Sequence, residues 1–101
     1  MKKISEEDLL KIKLQIAHVT NYYRKKYNVG IATHRSIDGL ILTMTFDKRF
    51  YVTSSVKILT EEFEDVYVAF GADGFTNYWQ NKLERLMGRL NCELLRYGVQ
   101  I

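Results

Sequence analysis

Residues 31–56 read IATHRSIDGLILTMTFDKRFYVTSSV, and their pattern is the main indication of the fold. Apolar and polar side chains alternate along most of it, which is the two-residue period of a β-strand with one buried face. The pair Asp38-Gly39 suits the positive φ angles of a two-residue hairpin turn, and residues 47–49 mark a second turn. The stretch therefore predicts a three-stranded antiparallel meander.

The two turns also predict a register for the meander. Ile37 faces Leu40 across the first hairpin, and Phe46 faces Phe50 across the second. Arg35 then falls on the apolar side, which indicates an edge strand or a slipped register at that point. The predicted core face carries Ile31, Ile37, Leu40, Leu42, Met44, Phe46, Phe50, Val52 and Val56, and the polar face carries Ala32, His34, Ser36, Ile41, Thr43, Thr45, Tyr51, Thr53 and Ser55.

A long helix is predicted before the meander, over residues 5–27. Ser5 can accept hydrogen bonds from the amides of the first turn, and the three acids that follow it complement the positive helix end. Residues 28–30, which include a glycine, end the helix. Apolar residues recur between these limits at spacings of three and four, which places them on one face. This face carries Leu9, Ile12, Ile16, Val19 and Tyr23, and it is widened by Leu10, Leu14 and Ala17.

A second long helix is predicted near residues 75–97, and either Asp73 or Thr76 opens it. Gly98 fits a left-handed cap at its end, with Val99 supplying the hydrophobic contact that accompanies such caps. The apolar stripe of this helix consists of Trp79, Leu83, Leu86, Leu90, Leu94 and Tyr97.

Between the meander and the last helix, residues 60–65 are acidic and predict a helical turn or a loop. Residues 66–70 alternate like a fourth, short strand. The order is therefore α-β-β-β-β-α. We expect an α+β fold in which two long antiparallel helices pack on one face of a three- to four-stranded antiparallel sheet, as a single domain of residues 1–101. Close packing of the two helices explains Gly88 within the second one.

The composition is that of a globular chain with a sizeable core. Of its 101 residues, 47% are hydrophobic, and the single cysteine excludes an internal disulfide. That cysteine count favours a reducing compartment, the cytoplasm. No apolar run approaches the roughly 20 residues that cross a bilayer, so we expect a soluble protein with no membrane partner.

The chain carries no residue pattern of an enzyme or of a metal site. A structural zinc site needs four ligands at short paired spacings, whereas His18, His34 and Cys92 are isolated. Cys92 is expected to be a buried or half-buried small hydrophobic residue between leucines. Residues 61–65 could hold magnesium or supply an acid and a base, but a solvated acidic surface is favoured. Residues 71–74 resemble a phosphate loop by position alone. We expect no catalytic residue, no metal and no cofactor.

Residues 22–27 read YYRKKY and are the main binding candidate. Cations interleaved with aromatic rings suit nucleic acid, where the cations meet phosphates and the rings stack on bases. The alternative is a cationic helix end that complements the negative helix terminus. The turn at residues 47–49 is expected beside this helix end, and the polar sheet face is a second candidate surface. The candidate binding residues are Tyr22, Arg24, Lys25, Lys26, Tyr27, Lys48, Arg49 and Tyr51.

The net charge of +3 hides a separation of charge along the chain. Residues 22–50 carry six basic and two acidic side chains, whereas residues 58–81 carry five acidic side chains and no basic one. We expect a basic pole at the end of the first helix. We expect an acidic pole opposite, at the Asp38 turn, the start of the first helix and residues 61–65.

These features predict a small non-enzymatic binding protein that docks on a larger protein and modulates it, as an accessory subunit or an inhibitor. The lysine-, isoleucine-, asparagine- and tyrosine-rich composition is typical of AT-rich bacterial or phage genomes, in which small single domains often regulate nucleic-acid machinery. A partner that handles nucleic acid is therefore one candidate. The alternative is direct binding of single-stranded DNA or RNA by the basic, tyrosine-bearing pole. The sequence leaves the oligomeric state open.

Overall fold

The computed structural model describes residues 4–48 and 51–99, and its first element is the helix α1, Glu6–Tyr27. The Ser5 side chain accepts a hydrogen bond of 3.2 Å from the backbone N–H of Asp8, as the sequence predicts. At the other end Asn28 adopts the left-handed conformation, and its N–H donates to the carbonyl of Arg24. Local capping therefore sets both limits of this helix.

The predicted meander is present as three antiparallel strands in the order β1-β2-β3. These are β1, Gly30–Ser36, β2, Gly39–Asp47, and β3, Tyr51–Leu59. Both β1 and β3 are therefore edge strands of the described sheet, and Arg35 lies exposed on one of them, near its end.

The predicted register of the first hairpin is wrong by two residues. Ser36 pairs with Gly39, so the turn consists of Ile37 and Asp38, and Ile37 is fully exposed instead of lying in the core. Neither residue of the Asp38-Gly39 pair has a positive φ. A Cβ atom on Gly39 would lie 2.0 Å from the carbonyl oxygen of Ile58, so the glycine is needed for close strand approach and not for its φ angle.

The second hairpin also differs from its prediction by two residues. Phe46 pairs with Val52, and Asp47 pairs with Tyr51. The expected partner, Phe50, lies outside the described residues. Both shifts equal the side-chain period of a strand, so apart from Ile37 the described residues keep the faces that the sequence predicts. The core face buries Ile31, Leu42, Met44, Phe46 and Ile58, whereas the polar face buries none of its described residues.

The rest of the chain is the helix α2, Thr60–Leu95, which corrects the prediction of a fourth strand at residues 66–70. Residues 60–65 are its first turns, so neither Asp73 nor Thr76 opens it. Gly71, with φ 73° and ψ −168°, breaks the helix into a short arm, residues 60–70, and a long arm, residues 72–95. This region of backbone space is open essentially to glycine alone.

The two arms of α2 fold back on each other at Gly71. The ring of Phe63 on the short arm stacks on that of Phe75 on the long arm, with centroids 4.6 Å apart. The carboxylate of Glu62 lies 3.3 Å from the Lys82 ammonium. Residues 66–70 are therefore helical despite their strand-like alternation, because Phe63 and the apolar residues that follow it pack at helical spacing.

The prediction of antiparallel helices is also wrong, because α1 and the long arm of α2 run parallel. Their contacting residues advance together along the chain: Lys11 pairs with Asp73 at 3.2 Å, and the Tyr23 hydroxyl donates to Glu84 at 3.1 Å. The strand count explains the difference. The chain reverses four times between α1 and the long arm, at the three turns that flank the strands and at Gly71. A fourth antiparallel strand would have added one more reversal.

The core lies between the sheet and the helices, and the long arm supplies most of its largest side chains. Two predictions for this arm are wrong. Cys92 is exposed, because a residue two positions from the buried Leu90 and Leu94 points to another side of the helix. Gly88 is exposed too, and a Cβ atom there would meet nothing within 4 Å, so it does not pack on α1.

The first helix contributes a narrower apolar face than expected. Ile12 and Tyr23 are buried, whereas Leu10 and Leu14, predicted to widen that face, are more than half exposed. This helix packs against α2 and the edge strand β1, and a narrow apolar stripe is enough to contact them. At the other end of the chain Gly98, φ 75°, forms the predicted left-handed cap.

Candidate functional site

The predicted basic residues of α1 and of the second hairpin lie at one end of the molecule, here called the basic end. Gly30, just after α1, pairs with Thr45, so Lys48 and Tyr51 extend beyond the start of β1 towards the end of α1. Tyr51 is on the uncovered sheet face with 72% of its surface exposed. Arg49 lies outside the described residues.

One predicted binding residue, Arg24, is used within the fold. Its guanidinium donates from Nη1 to Oδ1 of Asn21 and from Nη2 to the carbonyl oxygen of Ile31, each at 2.6 Å. The second contact closes the outer edge of β1. Arg24 therefore ties α1 to the sheet, a role that the basic run in the sequence does not reveal.

The tyrosines of the basic run are already covered by a cation. The Lys26 ammonium lies 5.7 Å from the ring centroid of Tyr22 and 5.3 Å from that of Tyr27. The Tyr27 ring also stacks on Tyr23, at 5.8 Å. The hydroxyl of Tyr27 and the neighbouring Tyr22 raise the pKa of Lys26, so its ammonium remains charged over these rings. A base that stacks here on the covered face would first have to displace Lys26.

The parallel helices bring further cations to the basic end. Glu84 of the long arm contacts Tyr23, so the next residue, Arg85, lies level with the last turn of α1. Arg89 follows one turn later, and Arg96 caps the arm. Sequence reasoning missed them, because antiparallel helices would have placed them at the opposite pole. The signal that could have found the first two is their spacing of four residues, which puts both on one helix face.

Arg85 and Arg89 line a groove of about 780 Å³ between the long arm and the start of β3. The Arg89 guanidinium donates from Nη1 to the carbonyl oxygen of Ser55 at 3.3 Å. Within residues 4–48 and 51–99, no carboxylate lies within 4.0 Å of either guanidinium. The remaining walls are Val52, Thr53, Ser54, Gly88, Cys92 and Glu93.

Acids gather at the first hairpin turn, the start of α1 and the first turns of α2, although Glu62 lies beside Lys82 and Arg85. The backbone N–H of Thr60 donates to the carbonyl of Asp38 at 2.9 Å, which brings the start of α2 to the first hairpin turn. The Tyr67 hydroxyl of the short arm donates to Asp8 near the start of α1. Several of these acids have partners, and the Lys57 ammonium lies 2.7 Å from Asp38.

The residues considered for metal or nucleophilic chemistry are dispersed in the fold. In the described part of the chain, no three histidine, cysteine, aspartate or glutamate residues come close enough to hold a metal ion. His18 is exposed on α1, His34 on β1 and Cys92 on α2. Residues 71–74, considered as a phosphate loop, form the corner between the two arms.

No protein-family model matches this chain, and searches of curated proteins and of solved structures find no match either. In the described residues, none of the helices combines the length and the apolarity needed to cross a bilayer.

Proposed function

We propose that this protein is a non-enzymatic binding protein whose basic end docks on an acidic surface of a larger protein and modulates it. The observation that carries the proposal is the lack of ion-pair partners for the cations at this end. In the described part of the chain, no carboxylate lies within ion-pair distance of Lys25, Lys26, Lys48 or Arg89. Arg85 has no ion pair within 4.0 Å either, but it lies beside Glu62 and contributes to the lowered pKa of that carboxyl. A cluster of unpaired cations attracts an acidic partner and speeds its encounter.

Direct binding of single-stranded DNA or RNA is the second candidate, and the exposed ring of Tyr51 on the open sheet face favours it. A ring on an open sheet face can stack on a base while a cation meets the phosphate. This candidate comes second because Lys26 covers Tyr22 and Tyr27, which the sequence offers as the other stacking platforms.

The proposal includes a cytoplasmic location, no cofactor and a partner that is itself a nucleic-acid-handling protein, with the gene carried by a phage or another mobile element. The accessory-subunit and inhibitor roles share the same docking chemistry. They differ in whether the partner gains or loses activity when the complex forms.

Affinity capture from the native cell, with and without nuclease, tests the proposal. We expect a stoichiometric protein partner that remains bound after nuclease treatment and does not bind the double variant Lys25→Ala/Lys26→Ala. Lys13→Ala, on the same helix and distant from the basic end, serves as the control and should retain the partner. Loss of every partner on nuclease treatment would overturn the proposal.

A second measurement separates the two candidates by salt dependence. We expect single-stranded oligonucleotides to bind weakly, with a Kd on the order of 10⁻⁴ to 10⁻⁶ M at physiological salt. Sub-micromolar binding would establish the nucleic-acid hypothesis instead, provided that its log–log salt slope flattens in the Lys25→Ala/Lys26→Ala variant. The flattening expected in that case is about 0.7 for each phosphate that the variant no longer neutralises.

A further inference from the structure

The outer edge of β3 presents backbone groups to solvent. Among the described strands β3 pairs only with β2, and the Ser55 carbonyl faces away from β2, since Arg89 reaches it. In an antiparallel ladder the N–H and C=O of a residue point to the same side, and the side alternates along the strand. Thr53 and Lys57 therefore present their backbone groups along the same free edge.

One arginine hydrogen-bonds to a backbone carbonyl at each edge of the sheet, and the two arginines are held in place to different degrees. At β1, Arg24 donates to the Ile31 carbonyl at 2.6 Å and is braced by Asn21. At β3, Arg89 donates to the Ser55 carbonyl at 3.3 Å and makes no second hydrogen bond or ion pair within the described residues. The β3 edge is thus the one that an incoming strand can open at lower cost.

The groove beside this edge has room for a strand and a charge pattern to match it. Gly88 contributes no side chain, and nothing lies within 4 Å of where its Cβ would be. Arg85 and Arg89 are four residues apart, about 6 Å along a helix. Side chains on one face of a strand repeat at about 6.6 Å. Two acidic side chains at alternate positions of an added strand can therefore each meet one guanidinium.

We propose that the β3 edge and the Arg85–Arg89 groove bind an extended acidic segment of a partner protein as a fourth strand of the sheet. Arg89 releases the Ser55 carbonyl to a backbone N–H of the incoming strand and pairs with one of its carboxylates. Alternating backbone donors and acceptors match another peptide, whereas a phosphodiester backbone offers acceptors alone. This inference rests on the proposed protein-docking function and specifies the chemistry of the partner.

A short synthetic peptide that alternates glutamate and threonine is the probe, with a lysine–threonine peptide as the charge control. We expect saturable binding of the acidic peptide, with chemical-shift changes of the Thr53, Ser55 and Lys57 amides in NMR spectra. N-methylation of alternate backbone nitrogens keeps the charge but removes strand pairing, and should weaken binding about tenfold or more. Binding that tolerates N-methylation would overturn strand addition.

Protein variants locate the site. Arg85→Ala/Arg89→Ala should weaken peptide binding about tenfold or more, whereas Lys13→Ala, at an exposed residue of α1 that does not line the groove, should leave it unchanged. Gly88→Leu fills the groove without removing a charge, and it should also abolish binding. Circular dichroism and thermal melts verify that each variant folds.

Two outcomes would overturn the inference without touching the proposed function. A partner captured through Lys25 and Lys26 that tolerates Gly88→Leu would show docking elsewhere at the basic end. Absence of peptide binding, combined with self-association of Arg89→Ala, would show that Arg89 only shields the edge from a second copy of this chain.

Discussion

The indole N–H of Trp79 donates a hydrogen bond of 3.1 Å to the hydroxyl of Thr20, and both side chains are buried. This bond joins the middle of α1 to the long arm of α2 and fixes their parallel alignment. A buried donor or acceptor that loses its hydrogen-bond partner costs free energy. The pair therefore also specifies which residues of the two helices meet.

Replacing Thr20 by valine keeps the side-chain volume and leaves the indole N–H of Trp79 without its acceptor. We expect a loss of about 1–3 kcal/mol in the free energy of unfolding, the cost of a buried unsatisfied donor. Urea denaturation followed by circular dichroism measures it. Thr20→Ser keeps the hydroxyl and is the control. A serine variant less stable than the valine variant would show that packing, and not the hydrogen bond, is what Thr20 contributes.

Two glycines of α2 should respond to alanine in opposite directions. Gly71→Ala forces a side chain into backbone angles that only glycine adopts readily, and we expect a loss of about 1–3 kcal/mol in unfolding free energy. Gly88→Ala, at an exposed helical position with open space around it, should stabilise the fold by about 0.5–1 kcal/mol. Thermal or urea unfolding compares both with the parent. Equal effects would contradict the corner at Gly71.

The ion pair between Asp38 and Lys57 should appear in the pH dependence of stability. Lys57 holds the pKa of the Asp38 carboxyl below its ordinary value. Such a depressed pKa stabilises the fold fully above the unfolded-state pKa of the carboxyl, and the contribution is lost as pH falls through the folded-state pKa. NMR titration of carboxyl carbons should show the pKa of Asp38 returning towards its ordinary value in Lys57→Gln.

The matched control for that titration is Lys11→Gln. Gln15 and Lys11 lower the pKa of Asp73, so this variant should raise the pKa of Asp73 and leave that of Asp38 where it was. An Asp38 titration that is the same with and without Lys57 would show that the pair does not persist in solution.

Substitutions at the neighbouring residues Arg24 and Lys25 should affect different properties, stability for Arg24 and binding for Lys25. Arg24→Ala removes the hydrogen bonds to Asn21 and Ile31, and we expect a loss of about 1–2 kcal/mol in unfolding free energy. Lys25→Ala should change stability by less than about 0.5 kcal/mol, as surface substitutions usually do, while slowing association with an acidic partner. Unfolding curves and stopped-flow association rates measure the two effects. A Lys25 variant that lost stability instead would contradict this division.

Features that depend on neighbouring residues could be predicted from the sequence alone. Ser5 and Asn28 set the ends of α1 through hydrogen bonds within one turn. The two-residue alternation of residues 31–56 determined which sheet side chains are buried, and that outcome survives a register error of two residues because the period is the same. The α+β class follows from these local rules.

The tertiary structure alone decided how the last third of the chain is used. Residues 66–70 alternate like a strand, yet they are helical, because Phe63 meets Phe75 across the corner at Gly71. That contact removes one strand and one chain reversal, so the helices run parallel and Arg85 and Arg89 reach the basic end. Local periodicity cannot determine such an outcome, because a short alternating segment takes the secondary structure that buries its apolar side chains best against distant partners.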